Sequence, residues 1–305
     1  MDVIVVSAFG YDTNIYLHTK EIRFDVEANF SENYDFPGGG GLYSSLGFNA
    51  LNYKTSIIAA LGNDIFGRDI RDRLSGFGID TSYCFEDPKG TKRSVNIIYQ
   101  DGRRKNFYDG KGSMDIKINP DVYSEAFKRT KLAHFNIVNW SRKMLKLAKE
   151  NGCIISADIQ DVVCLDDNYR FDYINSADYL FFSAVNFSEL DKPAKYFLDI
   201  NPNVKIIVGN GKKGCAYFDK KTTKYFPPLE IEGDIIDTTG AGDSLAVGFL
   251  SAKIFEKLSL SDSILWGEIA ARYICSKKMN EERVINRKKL TEYFNKLKNE
   301  FGWYK

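Results

Sequence analysis

Residues 236–250, Ile-Asp-Thr-Thr-Gly-Ala-Gly-Asp-Ser-Leu-Ala-Val-Gly-Phe-Leu, constrain this chain more than any other stretch. Gly240 and Gly242 flank Ala241, Asp243 follows at once, and Val247, Leu250, Ile254 and Leu258 then recur three or four apart. That period is helical. A glycine turn that opens directly into a helix aims unpaired backbone N–H groups at one spot, and the positive end of the helix dipole adds to their field. The spot suits an anion such as phosphate. Asp243, in the first turn, is either an ordinary helix-start carboxylate or a base held against the acceptor of a phosphoryl group. Thr and Asp are common at helix starts and glycines are common in turns, so Gly-x-Gly-Asp alone leaves both readings open.

The chain has 305 residues, enough for one large α/β domain. Lys plus Arg number 42 and Asp plus Glu 41, so no global basic field points to nucleic acid or to an anionic membrane as the main partner. The five cysteines, Cys84, Cys153, Cys164, Cys215 and Cys275, are odd in number and scattered without Cys-x-x-Cys. That argues against a disulfide framework or structural zinc and fits a reducing cytoplasm. The opening Met-Asp-Val-Ile-Val-Val reads as a core strand rather than a leader, and no apolar run has the length of a membrane span.

Val3 to Val6 is expected as the first buried strand, followed by a turn carrying a lone acid, Asp12. Residues 14–35 alternate like short strands projecting from the main body. The run Pro37-Gly38-Gly39-Gly40-Gly41 precedes a helical stretch, Leu42 to Asn52. Four glycines are either a plain flexible loop or a place where the backbone comes close to a ligand at a helix N-terminus. Gly62-Asn63-Asp64 introduces a helix with Phe66, Ile70 and Leu74 on one face. Asp101-Gly102 between extended segments predicts a hairpin within 90–109, which would join 14–35 in a small sheet. From residue 131 strand-length apolar runs (Leu132 to Ile137, Cys153 to Ala157, Tyr179 to Phe182, Lys205 to Val208) alternate with helical patterns, as in a parallel sheet covered on both faces. Val284 to Phe301 reads as a closing amphipathic helix.

Two further motifs carry possible chemistry. Asn186 and Glu189, three apart after a strand, share a face; a carboxylate there either holds a water-clad Mg²⁺ beside a phosphate or completes a capping box. Gly209, Gly211 and Gly214 fit Gly-x-Gly-x-x-Gly, but a dinucleotide site needs a helix next, and Cys215 to Asp219 reads as a strand. There is no Gly-Lys-Ser/Thr P-loop, and only His18 and His134 are present, so histidine triads and zinc hydrolases have little support. His134, in an apolar run, reads as a satisfied core residue.

Asp-Thr-Thr-Gly-Ala-Gly-Asp at 237–243 resembles the C-terminal signature of the ribokinase/PfkB family of small-molecule kinases. The remaining parts fall in that family's order: Asp12, the 38–41 glycines, the 62–67 element, Asn186 with Glu189, and Gly211 with Gly214. The resemblance implies a single ribokinase-like domain over 1–305, a three-layer α/β/α sandwich with a β-lid from about 14–35 and 90–109. It implies an ATP-dependent kinase of a small polyhydroxy substrate. Asp243 would be the base, and the turn of Gly240, Ala241 and Gly242, with the N–H of Asp243, would be the anion cradle. Asn186, Thr238, Gly211 and Gly214 would border the nucleotide, and Glu189 would serve Mg²⁺. Asp12, Gly38, Gly39, Gly40 and Tyr43 would line the substrate site. Exposed lid edges would allow a homodimer.

Three positions depart from the family pattern. Gly209 stands where a Thr is frequent. Tyr43 replaces an Asn that meets sugar hydroxyls, which suggests a flat or apolar substrate face, such as a nucleoside or cyclitol, beside the ordinary sugar as leading class. Asp158-Ile159-Gln160-Asp161 lacks the family's nearby arginine. An idle sugar or nucleotide sensor is the alternative, and the intact Asp243 argues against it.

Overall fold

The computed structural model describes residues 1–279 and 283–300. Strand β1 (Val3–Val6) is four β-branched residues with no exposed surface. A strand buried on both faces needs cover on both. It pairs in parallel with β4 (Thr55–Ile58) and β9 (Leu132–Asn136). Beyond β9 the sheet continues in parallel through β10 (Ile154–Asp161), β11 (Tyr179–Ser183) and β12 (Lys205–Gly209). It ends antiparallel in β13 (Cys215–Phe218) and β14 (Thr223–Phe226). A strand therefore follows Gly214, as the sequence reading requires, and no dinucleotide unit forms there.

Alternate residues of β1 feed two cores. Val3 and Val5 join Leu46, Leu74, Phe249, Leu265 and Leu290. These come from α1 (Gly40–Ala50), α2 (Ile65–Gly76), α7 (Ala241–Leu250), α8 (Leu260–Cys275) and α9 (Arg287–Glu300). Ile4 and Val6 join Phe127, Met144, Ile174 and Phe197 on the other face. Those belong to α3 (Ser124–Lys128), α4 (Arg142–Glu150), α5 (Phe171–Ser176) and α6 (Asp191–Ile200). The layers are helix, sheet, helix, as expected. The stripe expected on the closing helix buries Leu290, Phe294 and Leu297; Phe301 lies outside the described residues.

A separate four-stranded sheet, in the order β3-β2-β7-β8, stands over the C-terminal ends of the parallel strands. It comprises β2 (Gly10–Leu17), β3 (Ser31–Gly38), β7 (Lys92–Ile98) and β8 (Arg104–Asp109). It reaches further than the sequence suggested, because β2 starts at Gly10 and β3 runs into the glycine turn at Gly38. The β7–β8 hairpin turns at Gly102, whose φ of 80° is left-handed. Short β5 (Ala60–Leu61) and β6 (Phe85–Glu86) pair in parallel at the lid's base. Asp64 caps α2 by accepting from the Gly67 N–H at 2.8 Å, and it also accepts from the Thr91 N–H at 2.7 Å. The Gly62–Gly67 element thus ties α2 to the base of the lid.

Helix α7 is apolar nearly all round, which marks a helix buried between others. Gly47 of α1 lies against Val247, where an added Cβ would come within 3.0 Å. On the opposite side Gly248 packs on the Trp266 carbonyl of α8. Small residues on both flanks hold α7 close, and this fixes the position of its N-terminus.

Candidate active site

Gly240 precedes α7 with φ 80°, a left-handed conformation that costs glycine little. The Ala241 N–H already donates to the Thr238 carbonyl at 3.2 Å. Of the Ala241, Gly242 and Asp243 N–H groups expected to face an anion, the last two are therefore the ones that fit. Nothing lies within 4 Å of where a Gly242 side chain would begin, so the space over the helix start is open.

Asp243 follows in the same first turn and is half-buried. Asn136, at the end of β9, donates from Nδ2 to Asp243 Oδ1 at 3.3 Å. Gly40 packs against the same oxygen, and a Cβ on it would lie 2.7 Å from Oδ1 and 2.9 Å from Asn136 Nδ2. Gly38 packs still more closely on the Asp12 carboxylate, and Gly41 on the Phe9 ring. The glycine run is thus neither a loose loop nor open only to a ligand. It lets the β3–α1 turn pass between two of the protein's own acids, Asp12 and Asp243.

Asp158 of β10 lies in register beside Asn136. Burial, and then the charge of Asp243, raise its carboxyl above the usual range. Burial likewise raises Asp243, while Arg104, its own backbone N–H, Asn136 and Lys92 pull it back. Two buried acids that disfavour each other's charge leave a carboxylate poised nearer neutrality than a free one. Lys92 of β7 feels both Asp12 and Asp243, and burial lowers its ammonium.

The lid adds a polar inner face. Asp12, 4% exposed, accepts from Asn96 Nδ2 at 3.3 Å, and Asn96 Nδ2 also donates to Asn14 Oδ1 at 3.0 Å. Asn106 Nδ2 of β8 donates to Asn96 Oδ1 at 2.9 Å. Arg104, also of β8, donates from Nη1 to Thr239 Oγ1 at 3.3 Å, so the lid touches the signature turn.

Behind the turn, Asp237 is fully buried with Arg283, itself 1% exposed, at 2.8 Å. Arg283 Nη2 also donates to the Asp237 and Thr239 carbonyls, each at 2.8 Å. Breaking such a buried pair from one side costs about 3–5 kcal/mol.

Several expected residues sit differently. Tyr43 is 4% exposed, with its ring beneath Gly240 and its hydroxyl on Met279 Sδ at 3.5 Å. It supports the signature turn from below and presents no face to a substrate, because three residues past Gly40 the helix face points at α7. Asn186 and Glu189 lie before α6, whose start at Leu190 has no side-chain cap. The capping-box reading therefore fails; Asn186 Nδ2 donates to the Val162 carbonyl at 3.2 Å and Glu189 is exposed. Among the described residues no arginine side chain bonds Asp158; Arg170, from the following loop, donates to the Ile159 carbonyl at 3.1 Å and the Asp161 carbonyl at 2.8 Å and so braces this backbone. His134 is a core residue between Ser44 and Ser156, and burial pushes it down to about 3. Gly211 and Gly214 lie in the β12–β13 turn, both with positive φ, and Thr238 is exposed in the signature loop before Gly240.

Comparison with known proteins identifies the family and the fold. The family model described as pfkB family carbohydrate kinase matches residues 6–282. An acarbose 7(IV)-phosphotransferase of Actinoplanes sp. is 23% identical over 282 residues, covering 90% of this chain and 92% of that protein. A fructokinase of Solanum tuberosum is 25% identical over 254 residues, covering 79% and 78%. The solved structure of a microbiome-derived acarbose kinase superposes with a TM-score of 0.87 at 24% identity, covering 96% of this chain and 99% of that one. The chain belongs to the pfkB family of carbohydrate kinases, with the ribokinase-like fold, and is a phosphotransferase that moves a phosphoryl group from ATP to a sugar hydroxyl.

Proposed function

We propose that Asp243 is the general base of this transfer. The observation that carries the reading is its carboxylate at the start of α7, held by Asn136 and Gly40 below open space over Gly242. Asp243 takes the proton from the acceptor hydroxyl as that oxygen attacks the γ-phosphorus and the bond to the β-phosphate oxygen breaks. The N–H groups of Gly242 and Asp243, at the positive end of the helix, offset charge on the transferring phosphoryl. Phosphoryl transfer needs mainly positioning and electrostatics of this kind. Lys92 and Arg104 add positive charge on the lid side.

The acceptor lies between the glycine turn and the inner face of the lid. The exposed Asn106 amide would donate to and accept from sugar hydroxyls, and the buried Asp12, Asn14 and Asn96 behind it would do so by exchanging their mutual hydrogen bonds for bonds to the sugar. With Tyr43 spent under Gly240, the ground for preferring a nucleoside or cyclitol disappears. A sugar is the substrate class, with fructose and acarbose-like saccharides, on which the named relatives act, as first candidates. ATP lies toward Gly211, Gly214, Thr238 and Asn186.

Among the described residues no three His, Cys, Asp or Glu side chains form a metal cage. Mg²⁺ keeps most of its waters and is held largely by substrate phosphates, so it would need no such cage. Exposed Glu189 would hold it through water, and the ion would supply charge neutralisation of the phosphates. The 1–305 chain acts as one catalytic domain in a cytoplasmic setting that suits its free thiols, and a second copy would pair at the open edge of β8.

The test is ADP release by the purified chain with ATP, Mg²⁺ and a panel of fructose, ribose, glucose, maltose, acarbose, inositol and adenosine. A sugar is expected to raise turnover well above the sugar-free rate. No sugar-dependent ADP, or adenosine or inositol far ahead of every sugar, overturns the reading.

A further inference from the structure

Among the described residues, Arg283 is the largest fully buried side chain. Nothing in the transfer chemistry above uses it. A buried guanidinium is expensive unless each donor finds an acceptor. Here Nη1 donates to Asp237 Oδ2 at 2.8 Å, Nη2 to the Asp237 and Thr239 carbonyls at 2.8 Å each, and Nε to the Ile274 carbonyl at 3.4 Å. One side chain thus grips both ends of the tripeptide 237–239, the backbone directly before Gly240 and the N–H cradle.

The same carboxylate closes the loop on itself and reaches the lid. Asp237 Oδ1 accepts from the Thr239 N–H at 2.8 Å. Asp237 Oδ2 also accepts from the Tyr16 hydroxyl of β2 at 2.8 Å, and that hydroxyl accepts from the Met279 N–H at 3.1 Å. The guanidinium carbon lies 5.8 Å from the Tyr43 ring centroid, and that ring supports Gly240. The turn that carries the cradle is therefore pinned from behind by one fixed cation and from below by one aromatic ring.

We infer that Arg283 is a positioning residue for phosphoryl transfer: its guanidinium fixes the Asp237–Thr239 backbone and thereby the direction of the Gly242 and Asp243 N–H groups. It touches neither ATP nor sugar. Its planar fork serves carboxylate and carbonyls at once, which a lysine ammonium at the end of a flexible stem does not. The inference rests on the kinase reading, because the cradle matters only if an anion is stabilised there.

Arg283→Lys keeps the buried charge and removes the fork. The expected result is a folded protein whose kcat falls at least 10-fold, while KM for ATP and for the best sugar of the panel stay within 3-fold. A purely structural role would lower the melting temperature and leave kcat of the folded fraction unchanged; kcat within 2-fold of the parent overturns the proposal. In Arg283→Ala, added methylguanidinium is expected to restore kcat at least 5-fold, and no restoration in a folded variant counts against it. Should both variants fail to fold, Tyr16→Phe removes one bond from the same Asp237 oxygen; a 3-fold or greater loss in kcat at unchanged KM supports the proposal, and an unchanged kcat overturns it. If the parent itself turns over no sugar, the kinase reading fails. Amide hydrogen exchange over 237–243 then decides this one: 10-fold faster exchange in Arg283→Lys, or in Tyr16→Phe if the lysine variant does not fold, supports the pinning, and unchanged exchange refutes it.

Discussion

Gly242→Ala separates stability from activity at the centre of the site. Gly242 is exposed in the first turn of α7, and a Cβ placed on it meets nothing within 4 Å. Alanine is a better helix former than glycine by roughly 0.5–1 kcal/mol, somewhat less in a first turn. For a chain of this length that is a rise of about 1 °C in melting temperature. The same methyl stands where the transferring phosphoryl must come within about 3 Å of the Gly242 and Asp243 N–H groups. It pushes the anion away, and losing one such donor costs on the order of 10²-fold in rate. Gly40→Ala is the contrast. Its methyl starts 2.7 Å from Asp243 Oδ1, whereas ordinary contact begins at 3.4 Å, so the base must shift by about 0.7 Å. That change should cost about 1–3 kcal/mol of stability as well as rate. Steady-state kinetics with thermal melts distinguish the two. An alanine at 242 that is more stable and fully active would show that no phosphoryl group approaches the α7 start, and the reasoning would fail.

Asp158→Asn removes a negative charge beside Asp243, so the acid limb of kcat/KM should move to lower pH; a limb that stays or moves up contradicts the coupling. Both acids hold protons at higher pH in the folded chain than in the unfolded chain, so their ionisation opposes folding above the folded pKa. Asp158→Asn should therefore be more stable than the parent at pH 8, with the gap closing as the pH falls toward 4; an equal gap at both ends would show that Asp158 is not strained by its charge. Glu189→Gln should raise the Mg²⁺ concentration needed for half-maximal rate without lowering the melting temperature, and an unmoved Mg²⁺ titration removes Glu189 from the metal.

The signature at 237–243 was legible because its parts are contiguous and its chemistry is backbone chemistry: a left-handed glycine, a helix start and one acid. The parallel sheet was legible from strand-length runs such as Leu132 to Ile137. The rest of the site is assembled by topology. Asn136 and Asp158 end adjacent strands, Lys92 and Arg104 arrive from the lid, and Arg283 comes from 46 residues beyond its partner Asp237. No local spacing announces such neighbours. Tyr43 was misread for a related reason: alignment on the glycines gives its place in the helix, but only packing against α7 decides which way that face points. Arg170, nine residues past Asp161, was likewise unannounced as the brace of the Ile159 and Asp161 carbonyls.

The central claim is that Asp243 accepts the proton of a sugar hydroxyl. Asp243→Asn keeps the shape and the Asn136 neighbour and removes the base. With the sugar that gives the highest turnover, kcat should fall by about 10²–10⁴ while ATP binding, measured by calorimetry in the absence of turnover, stays within a few-fold of the parent. A purified asparagine variant that phosphorylates the sugar at a near-parental kcat would contradict the account.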